Sequence, residues 1–470
     1  MSALEDLISV VGPAGYVREP VDLSRYLVDI RGAFRGETGL VLKPATVQEV
    51  ATLMRICWEA GIPIVPQGGN TGLCGGAIPD ESGKAVVLSL ERLRAIRSMD
   101  AGNSSMTVEA GVVLAAAQKA AREKSLLLPL SLGAEGSCQI GGTIATNAGG
   151  HHVRKYGSMR NLVLGLEVVL PDGSILDACR SLRKDNMGFD LKQLFIGSEG
   201  TLGVITAATL KLFPLPTEKV TVLAAVERLE DALTCFNTLQ AKFAAELAVC
   251  ELMSHASISL AANNIPSVQM PFAEAHPWML LLEWEADEAI GDRVEAALAD
   301  LIEAEVVRDA IVGASLSDSQ RLWHLREAVV EAERAEQGSA KHDIAIPISA
   351  IPRFVQEAEP ALKAMMAGVR LQVFGHLGDG NLHFNLIRPA TMSKAQFFAE
   401  VAPLTERIHE SVIRADGTIS AEHGIGQSKV DDLERFRGGT ETALMARIKN
   451  ALDPQGIMNP GKVVRSSWSQ

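Results

Sequence analysis

The sequence lacks an excess of positive charge and any long apolar segment. Its 470 residues include 44 Lys and Arg against 57 Asp and Glu, which gives a formal net charge of −13. That balance argues against a surface for nucleic acids and offers no attraction to anionic membranes. Residues 162–170 form the most apolar run, and it has the length of a strand rather than of a membrane-spanning helix. An ordinary globular protein is predicted, with no nucleic-acid partner and no integral membrane segment.

Paired cysteines are also absent. None of the cysteines lies in a Cys-x-x-Cys motif, so neither an iron–sulfur cluster nor a disulfide framework is expected. The N-terminal residues carry two acids and no basic region, which is not the pattern of a secretory signal. A cytoplasmic enzyme with free thiols is predicted, with peripheral attachment to a membrane as the alternative.

The length suits two or three domains, and the first clear pattern is a βαβ unit. An apolar strand follows Gly39, and Thr46 and Glu49 have the spacing of a helix capping box. Gly61 ends the predicted helix, and a second strand follows at Ile62–Val65. Further strands are predicted at residues 84–93, 106–112 and 162–170, and a helix at residues 113–126.

Three glycine-rich runs lie among these elements. The first, Pro66–Gly76, has five glycines in eleven residues, and its backbone N–H groups would suit a pyrophosphate. It is neither a Rossmann fingerprint nor a Walker loop, so a plain flexible loop is the alternative. The second run, residues 131–173, combines glycine with small and hydroxyl side chains, and a third run spans residues 194–216. Such runs suit a backbone that wraps around an extended cofactor.

Glycine becomes rarer after residue 220, where strands alternate with long helices. Residues 317–336 are predicted to be helical, and residues 370–387 to form a strand, a loop and a strand. This alternation predicts a compact α+β domain with an antiparallel sheet.

The loop of that last hairpin carries His376 and His383. Imidazoles bind divalent metals, but a spacing of seven residues across a loop is not by itself a metal motif. Histidines that cap hydrogen bonds in the loop are the alternative, and Asp379 is expected to stabilise the loop. Glu422 and His423 stand side by side further along the chain, so a turn there would be needed for both to reach one substrate.

The order of these motifs resembles a known family. The runs PQGGNTGLCGG and GGTIATNAGG, followed by GSEGTLGVIT, are similar to the FAD-binding domain of the vanillyl-alcohol oxidase type. The runs GHLGDGNLHFN, AEHGIGQSK and DPQGIMNPGKV resemble the C-terminal domain of the FAD-linked 2-hydroxy acid dehydrogenases. Within that family, D-2-hydroxyglutarate dehydrogenase and the cytochrome-type D-lactate dehydrogenase are nearest.

The resemblance implies an α+β protein in four segments. An N-terminal helical segment, 1–38, precedes an FAD-binding domain of the vanillyl-alcohol oxidase type, 39–216. A substrate or cap domain with an antiparallel sheet and the metal loop covers 217–420. A helical C-terminal segment, 421–470, is expected to complete the active site and to pack on the FAD domain.

The resemblance also implies FAD held without a covalent bond. The residues expected to hold it are Pro66, Gln67, Gly68, Gly69, Asn70, Thr71, Gly72, Gly133, Ser137, Gly141, Gly142, Thr143, Asn147, Gly150, Gly200, Gly203, Val204 and Asn459. Some branches of the superfamily tether the flavin through a histidine. His151 and His152 follow the second glycine run, and a structural role is expected for them here.

The resemblance implies a divalent metal, expected to be zinc, bound by His376, His383 and Glu422. Two imidazoles and a carboxylate leave coordination positions open for a substrate hydroxyl and carboxylate. The resemblance assigns His423 as the base that takes the hydroxyl proton while hydride passes to flavin N5.

Arg326 and Lys341 match the carboxylate-binding pair of the family, and Asn385 would hydrogen-bond the substrate. A solvated helix residue is the alternative for Arg326. Enzymes for 2-hydroxyglutarate have a threonine four residues after the arginine, where this chain has Val330. Valine cannot donate a hydrogen bond, so an acid with a shorter or more apolar side chain, as in lactate, becomes a candidate.

The implied activity is oxidation of a D-2-hydroxy acid, lactate-like or 2-hydroxyglutarate-like, to the 2-oxo acid by a homodimer. Electrons would pass to an external acceptor, which is a quinone, a cytochrome or an electron-transfer flavoprotein. The alternatives are the flavin subunit of a glycolate-oxidase-type complex and an oxidase that uses oxygen directly.

Overall fold

The computed structural model describes residues 3–336, 338–465 and 468. The chain folds into two compact units. The first unit contains the described residues of Met1–Gly150, Tyr156–Leu215 and Glu422–Gln470, and the second contains those of His151–Lys155 and Pro216–Ala421. The four segments expected from the resemblance stay a prediction.

The α-helices among the described residues are α1 (Ala3–Val11), α2 (Pro20–Leu27), α3 (Val47–Ala60), α4 (Leu114–Arg122), α5 (Ile140–Ala145), α6 (Val153–Tyr156), α7 (Met159–Leu162), α8 (Lys192–Phe195), α9 (Leu229–Lys242), α10 (His255–Asn264), α11 (Gly291–Glu303), α12 (Leu316–Ala335), α13 (Ile351–Met365), α14 (Lys394–Glu400), α15 (Ala402–Arg414), α16 (Val430–Arg437) and α17 (Thr440–Leu452). Short 3-10 helices span Ile348–Ala350 and Leu377–Asp379.

The strands are β1 (Tyr16–Val17), β2 (Val41–Leu42), β3 (Ile64–Gln67), β4 (Val86–Ser89), β5 (Ile96–Asp100), β6 (Ser105–Glu109), β7 (Leu126–Leu127), β8 (Val163–Val169), β9 (Ile175–Ala178), β10 (Val204–Lys211), β11 (Phe213–Pro214), β12 (Glu218–Val226), β13 (Leu247–Ser254), β14 (Trp278–Ala286), β15 (Asp309–Val312), β16 (Ser339–Ala340), β17 (Asp343–Ala345), β18 (Arg370–His376) and β19 (Asn381–Ile387).

The predicted βαβ unit is confirmed in the first unit as β2, α3 and β3. Thr46 caps α3 by accepting the N–H of Glu49, and the Glu49 carboxylate accepts the N–H of Ala45 rather than that of the cap residue. Gly61 ends the helix at φ 64°, a left-handed conformation that favours glycine. Strand β4 lies between β2 and β3 and is parallel to both, in the order β1-β2-β4-β3.

A second sheet of the first unit has the order β5-β6-β10-β8-β9, with antiparallel neighbours throughout. Its inner face and helices α4, α5 and α7 share one apolar core, which includes Val108, Leu114, Ile140 and Leu166. A tight turn joins β8 and β9, with Gly173 at φ 84°. The first glycine-rich run follows β3 of the other sheet, whereas the second run contains β8 and the third contains β10.

The second unit is built on one sheet in the order β15-β12-β14-β13-β18-β19-β16, and β17 also pairs with β19. All of these pairs are antiparallel, which confirms the predicted α+β domain. Helix α12 shares a core with α10 and the sheet, and Phe374 and Val329 are buried in it. Helix α12, Leu316–Ala335, confirms the helix predicted at residues 317–336.

Across the described ranges, no helix has both the length and the apolar character needed to span a bilayer.

Candidate active site

The histidine loop is a tight connection between β18 and β19. Gly380 lies at φ 83°, and a Cβ there would stand 2.2 Å from the carbonyl oxygen of Ile346. Any larger residue would both clash and strain the backbone, so glycine is required. Asp379 Oδ1 accepts the N–H of Asn381 at 3.1 Å, the loop-stabilising role expected of it.

Antiparallel pairing brings the two loop histidines together. His383 is opposite Phe374, and His376 lies two residues beyond Phe374 on the same face of the hairpin. The centroids of the two imidazoles are 5.9 Å apart. The seven-residue spacing, weak as a sequence signal, therefore juxtaposes two potential nitrogen ligands.

A buried carboxylate orients His376. Glu251 on β13 is directly opposite His376, and its Oε1 is hydrogen-bonded to the Nδ1 atom of that ring. Proteins commonly orient metal-binding histidines through such a carboxylate contact. A metal held by His376 would take the other ring nitrogen, Nε2. The imidazole nitrogens of His376 and His383, and the orientation that Glu251 gives to His376, thus fit a divalent metal.

Glu251 also holds Arg326. Its second oxygen, Oε2, accepts the Nε–H of Arg326 at 2.7 Å, and both side chains are almost fully buried. Burial by itself raises the pKa of the Glu251 carboxyl, but the charges of His376 and Arg326 outweigh that effect and hold the pKa well below its usual range. Glu251 is therefore ionised, and it compensates the buried guanidinium.

Arg326 is not a solvated helix residue. Its side chain is 4% exposed, and its guanidinium carbon lies 4.8 Å from the centre of the Phe374 ring. Because Nε is engaged by Glu251, the terminal Nη groups are the donors that could hold a substrate carboxylate.

Lys341 and Asn385 converge on a second buried carboxylate, Glu333. Lys341 Nζ lies 3.1 Å from Glu333 Oε2, and Asn385 Nδ2 donates to the same oxygen at 3.2 Å. Asn385 Oδ1 accepts the N–H of His342, which fixes the orientation of the amide. The structure thus brings two predicted substrate residues together around an acid that the sequence did not reveal.

The remaining substrate candidate, Val330, lies on α12 between Arg326 and Glu333. The spacing of four and then three residues puts these three side chains on one face of the helix. Val330 is half-buried against the core that contains Phe374.

His151 and His152 have carboxylate partners within the second unit. His151 Nδ1 lies 3.3 Å from Glu251 Oε1, and its ring meets Trp323 edge-on at 4.9 Å. His152 Nε2 lies 3.6 Å from Glu285. Burial lowers the pKa of His151 more strongly than its hydrogen bond to the Glu251 carboxylate raises it. These contacts support the structural role expected for both histidines.

In the first unit, the first and second glycine runs pack on each other. A Cβ at Gly69 would stand 2.1 Å from the carbonyl oxygen of Ser137, and Gly68 lies against Gly142. Gly141 and Gly150 are equally constrained, since a Cβ would stand 2.6 Å from the Cβ of Ala110 and 1.8 Å from the carbonyl oxygen of Ser131, respectively. Gly69 is therefore needed for the two runs to pack closely, and Gly141 and Gly150 are needed for the second run to pack on Ala110 and on its own start.

Several polar candidates of these runs hold the loops through their own side chains. Gln67 donates to the carbonyl oxygens of Tyr26 and Ala77, and Asn70 donates to that of Val28. Asn147 accepts from Ser158, and Thr143 donates within α5. A cofactor would therefore be bound at these positions mainly by backbone groups.

The remaining cofactor-binding candidates of the first unit pack against neighbouring residues, lie in the core or lie in the glycine-rich loops. Pro66 packs against Gly200, and Gly203 packs against Val168. Val204 is a core residue. Thr71 lies in the first loop and Ser137 in the second, where Ser137 Oγ donates to the carbonyl oxygen of Ala134 at 3.4 Å.

Other glycines of the runs face open space. A Cβ at Gly72, Gly133 or Gly142 would meet no atom of the described residues within 4 Å. Two buried amide oxygens nearby, Gln139 Oε1 and Asn459 Oδ1, have no hydrogen-bond partner within the part of the chain that the structure describes. A buried acceptor without a partner is costly, so both oxygens fit a site completed by a bound ligand. The loops therefore suit a large cofactor with hydrogen-bond donors.

Asn459 and Glu199 join the last segment of the chain to these loops. Asn459 Nδ2 donates to the carbonyl oxygens of Gly76 and Glu199. Glu199 in turn accepts the N–H groups of Ile425 and Gly426 at 2.7 and 2.8 Å, and burial raises the pKa of its carboxyl. This anchoring holds the segment that begins with Glu422 and His423.

The chain bends at residues 421–423, where a turn would be needed for Glu422 and His423 to reach one substrate. Gly424 has φ 75° and Gly426 has φ 52°, and a Cβ at Gly426 would stand 2.0 Å from the carbonyl oxygen of Cys74. Gln427 N–H donates to that same oxygen. His423 is thus held beside the first glycine run of its own unit, and Glu422 belongs to the same segment.

Family models match both parts of the chain. The model described as FAD linked oxidases, C-terminal domain, matches residues 215–463, and the one described as FAD binding domain matches residues 38–178. The first match alone covers more than half of the chain, so it establishes the family.

Similar proteins agree with this assignment. D-2-hydroxyglutarate dehydrogenase of Xanthomonas citri is 38% identical over 446 residues, which cover 95% of this chain and 93% of that protein. A mitochondrial protein of Schizosaccharomyces pombe, provisionally named a D-lactate dehydrogenase, is 36% identical over 460 residues, with coverage of 95% and 85%.

Among solved structures, p-cresol methylhydroxylase with substrate bound has a TM-score of 0.78 and 15% identity, with coverage of 99% of this chain and 97% of that one. At that identity the likeness concerns the fold alone, and it confirms the predicted vanillyl-alcohol oxidase type of architecture. The chain belongs to the FAD-linked oxidase family and is an FAD-dependent oxidoreductase related to the D-2-hydroxyglutarate and D-lactate dehydrogenases.

Proposed function

We propose that this protein oxidises a D-2-hydroxy acid to the corresponding 2-oxo acid and passes the electrons to an external acceptor. The observation that carries the proposal is the double contact of Glu251 with Arg326 and His376. One buried carboxylate holds a cation suited to a substrate carboxylate and an imidazole suited to a metal. The names of the relatives support the substrate class.

The chain's residues then have separate roles. The Nη groups of Arg326 bind the carboxylate at C1, and Asn385 contributes a further polar contact. His423 takes the proton of the 2-hydroxyl, a role that suits an imidazole near neutral pH. FAD, when bound, supplies the acceptor for the hydride that leaves C2.

A divalent metal, with zinc as the first choice, is part of the proposal. His376 and His383 would supply two nitrogen ligands from the hairpin, and the sequence motif supplies Glu422 as the third ligand. Such a set leaves positions for the substrate oxygens, and a bound metal would lower the pKa of the hydroxyl. Metal binding here rests on donor chemistry and on the motif.

The electron acceptor, the homodimer and the cytoplasmic location are also part of the proposal. The acceptor would be a quinone, a cytochrome or an electron-transfer flavoprotein.

Anaerobic reduction of the flavin tests the function directly. The purified holoprotein is mixed with a panel of D- and L-2-hydroxy acids, and loss of the oxidised flavin absorbance is followed. We expect bleaching by at least one D-acid and little by its L-enantiomer. Absence of bleaching with every acid in metal-replete protein would overturn the proposal. Rapid peroxide formation in air without an added acceptor would instead identify an oxidase.

A further inference from the structure

One face of α12 and the end of β19 carry an acid whose role the proposed reaction does not explain. Glu333 is 1% exposed and lies seven residues, or two helical turns, after Arg326. Its carboxylate sits among the residues proposed to bind substrate and not on the protein surface. A buried carboxylate costs desolvation free energy, so its partners indicate what it does.

The partners of Glu333 are two side chains that the family motif assigns to substrate binding. Glu333 Oε2 lies 3.1 Å from Lys341 Nζ and 3.2 Å from Asn385 Nδ2. Its other oxygen, Oε1, is buried without a hydrogen-bond partner among the described residues. The ammonium charge of Lys341 is therefore already compensated before any substrate binds.

The charged groups along this face of α12 determine which substrate side chains can bind there. Arg326 is paired with Glu251 and Lys341 with Glu333, so each of these cations has a carboxylate beside it. Between Arg326 and Glu333 the helix presents Val330, whose methyl groups offer no donor. A substrate side chain that extends along this face from Arg326 meets an apolar surface first and then the Glu333 carboxylate, whose Oε1 has no hydrogen-bond partner among the described residues.

We propose that Glu333 is a specificity-determining residue that restricts the enzyme to 2-hydroxy acids with an uncharged side chain. The inference rests on the proposed function, because it assumes that the C1 carboxylate binds at Arg326. A second carboxylate on the substrate would be repelled by Glu333 and would find Lys341 already paired. Lactate-like and longer monocarboxylic acids are accepted, whereas 2-hydroxyglutarate is a poor substrate.

The experiment compares two acids of equal chain length in the holoenzyme. D-2-hydroxypentanoate and D-2-hydroxyglutarate differ only in the terminal carboxylate. Flavin reduction is followed anaerobically in wild type, in Glu333→Gln and in Glu331→Gln. Glutamine keeps the size of the side chain and its contacts to Lys341 and Asn385 but removes the charge. Glu331 is an exposed acid two residues away on the same helix, so its variant controls for a general change of charge.

Wild type is expected to prefer the monocarboxylic acid, and E333Q to raise kcat/KM for the diacid relative to the monoacid by at least about tenfold. E331Q should leave that ratio at the wild-type value. An unchanged ratio in E333Q would overturn the inference even if both acids bleach the flavin. A wild-type enzyme that prefers the diacid would also overturn the inference. This comparison needs only the wild type, so it remains possible if E333Q does not fold. Failure of every D-2-hydroxy acid to reduce the wild-type flavin would mean that the proposed function itself is wrong.

Discussion

Glu251 accepts the Nε–H of Arg326 at 2.7 Å in the interior of the second unit, and its other oxygen is hydrogen-bonded to His376. A carboxylate with these partners cannot be removed without leaving a buried guanidinium uncompensated. Glu251 therefore contributes both to the stability of the second unit and to the positions of Arg326 and His376, which are proposed to bind the substrate and the metal.

Replacing Glu251 with glutamine should lower the free energy of unfolding by about 3–5 kcal/mol, because one member of a buried ion pair is lost. The same change should raise KM for the acid and lower metal retention, since Arg326 and His376 lose their common partner. Denaturant unfolding, steady-state kinetics and elemental analysis measure the three effects.

The matched control is Glu283→Gln. Glu283 is a buried glutamate of the same sheet whose partners are Lys219 and Trp323. This variant should lose stability and keep its metal. If E251Q lost only stability as well, Glu251 would have no role in positioning the site.

Removal of the metal should stop turnover. A chelator, or His383→Ala, is expected to leave the FAD absorbance in place and to abolish flavin reduction by the acid, because a proposed nitrogen ligand is lost. His324→Ala is the control, since His324 bonds Ser267 at the surface of the second unit. Full activity at a verified zero metal content would show that the two loop histidines are structural.

His423→Ala should separate chemistry from cofactor binding. Loss of a general base is expected to slow flavin reduction by roughly a hundredfold to ten-thousandfold, with FAD content unchanged. Stopped-flow reduction at saturating substrate measures the step directly. A wild-type rate in this variant would exclude His423 as the base.

The stability of the protein should fall as the solution becomes acidic. Burial alone would raise the pKa of Glu283, but the nearby His152, the charge of Lys219 and the hydrogen bond from Trp323 lower it from 4.5 to about 2. A depressed pKa stabilises the fold above the unfolded value of 4.5, and that stability is lost as the pH falls toward 2. The difference corresponds to roughly 3 kcal/mol. Denaturant unfolding between about pH 5 and 3 should show a shallower decline in E283Q than in wild type.

Two glycines of the first loop should respond differently to alanine. Gly69→Ala should impair folding, because the new Cβ would stand 2.1 Å from the carbonyl oxygen of Ser137. Gly72→Ala meets open space, so the apoprotein should keep its stability while FAD affinity falls. Thermal unfolding with and without FAD distinguishes the folding defect of Gly69→Ala from the reduced FAD affinity of Gly72→Ala. Gly39→Ala, also in open space, is the control, and an equal loss of FAD affinity in that variant would contradict a contact at Gly72.

Local patterns predicted much of the fold. The capping pair at Thr46 and Glu49, the break at Gly61 and the alternation in the second unit all correspond to observed elements. Strand β5 was missed because it is mostly exposed and has no apolar alternation. The short helices α5 to α8 were missed because they lie in or beside runs that predicted loops.

The sequence by itself determined the family, the three glycine-rich runs and the histidine hairpin, because these depend on residues that are close together in the chain. The tertiary structure alone identified Glu251 and Glu333. Glu251 meets Arg326 across 75 positions, and Glu333 meets Asn385 across 52. A glutamate looks the same in the sequence whether it is solvated or buried, and only packing removes the water that would otherwise screen its charge. The tertiary structure therefore determines that Glu251 and Glu333, among the glutamates of the chain, carry buried charges in the proposed site.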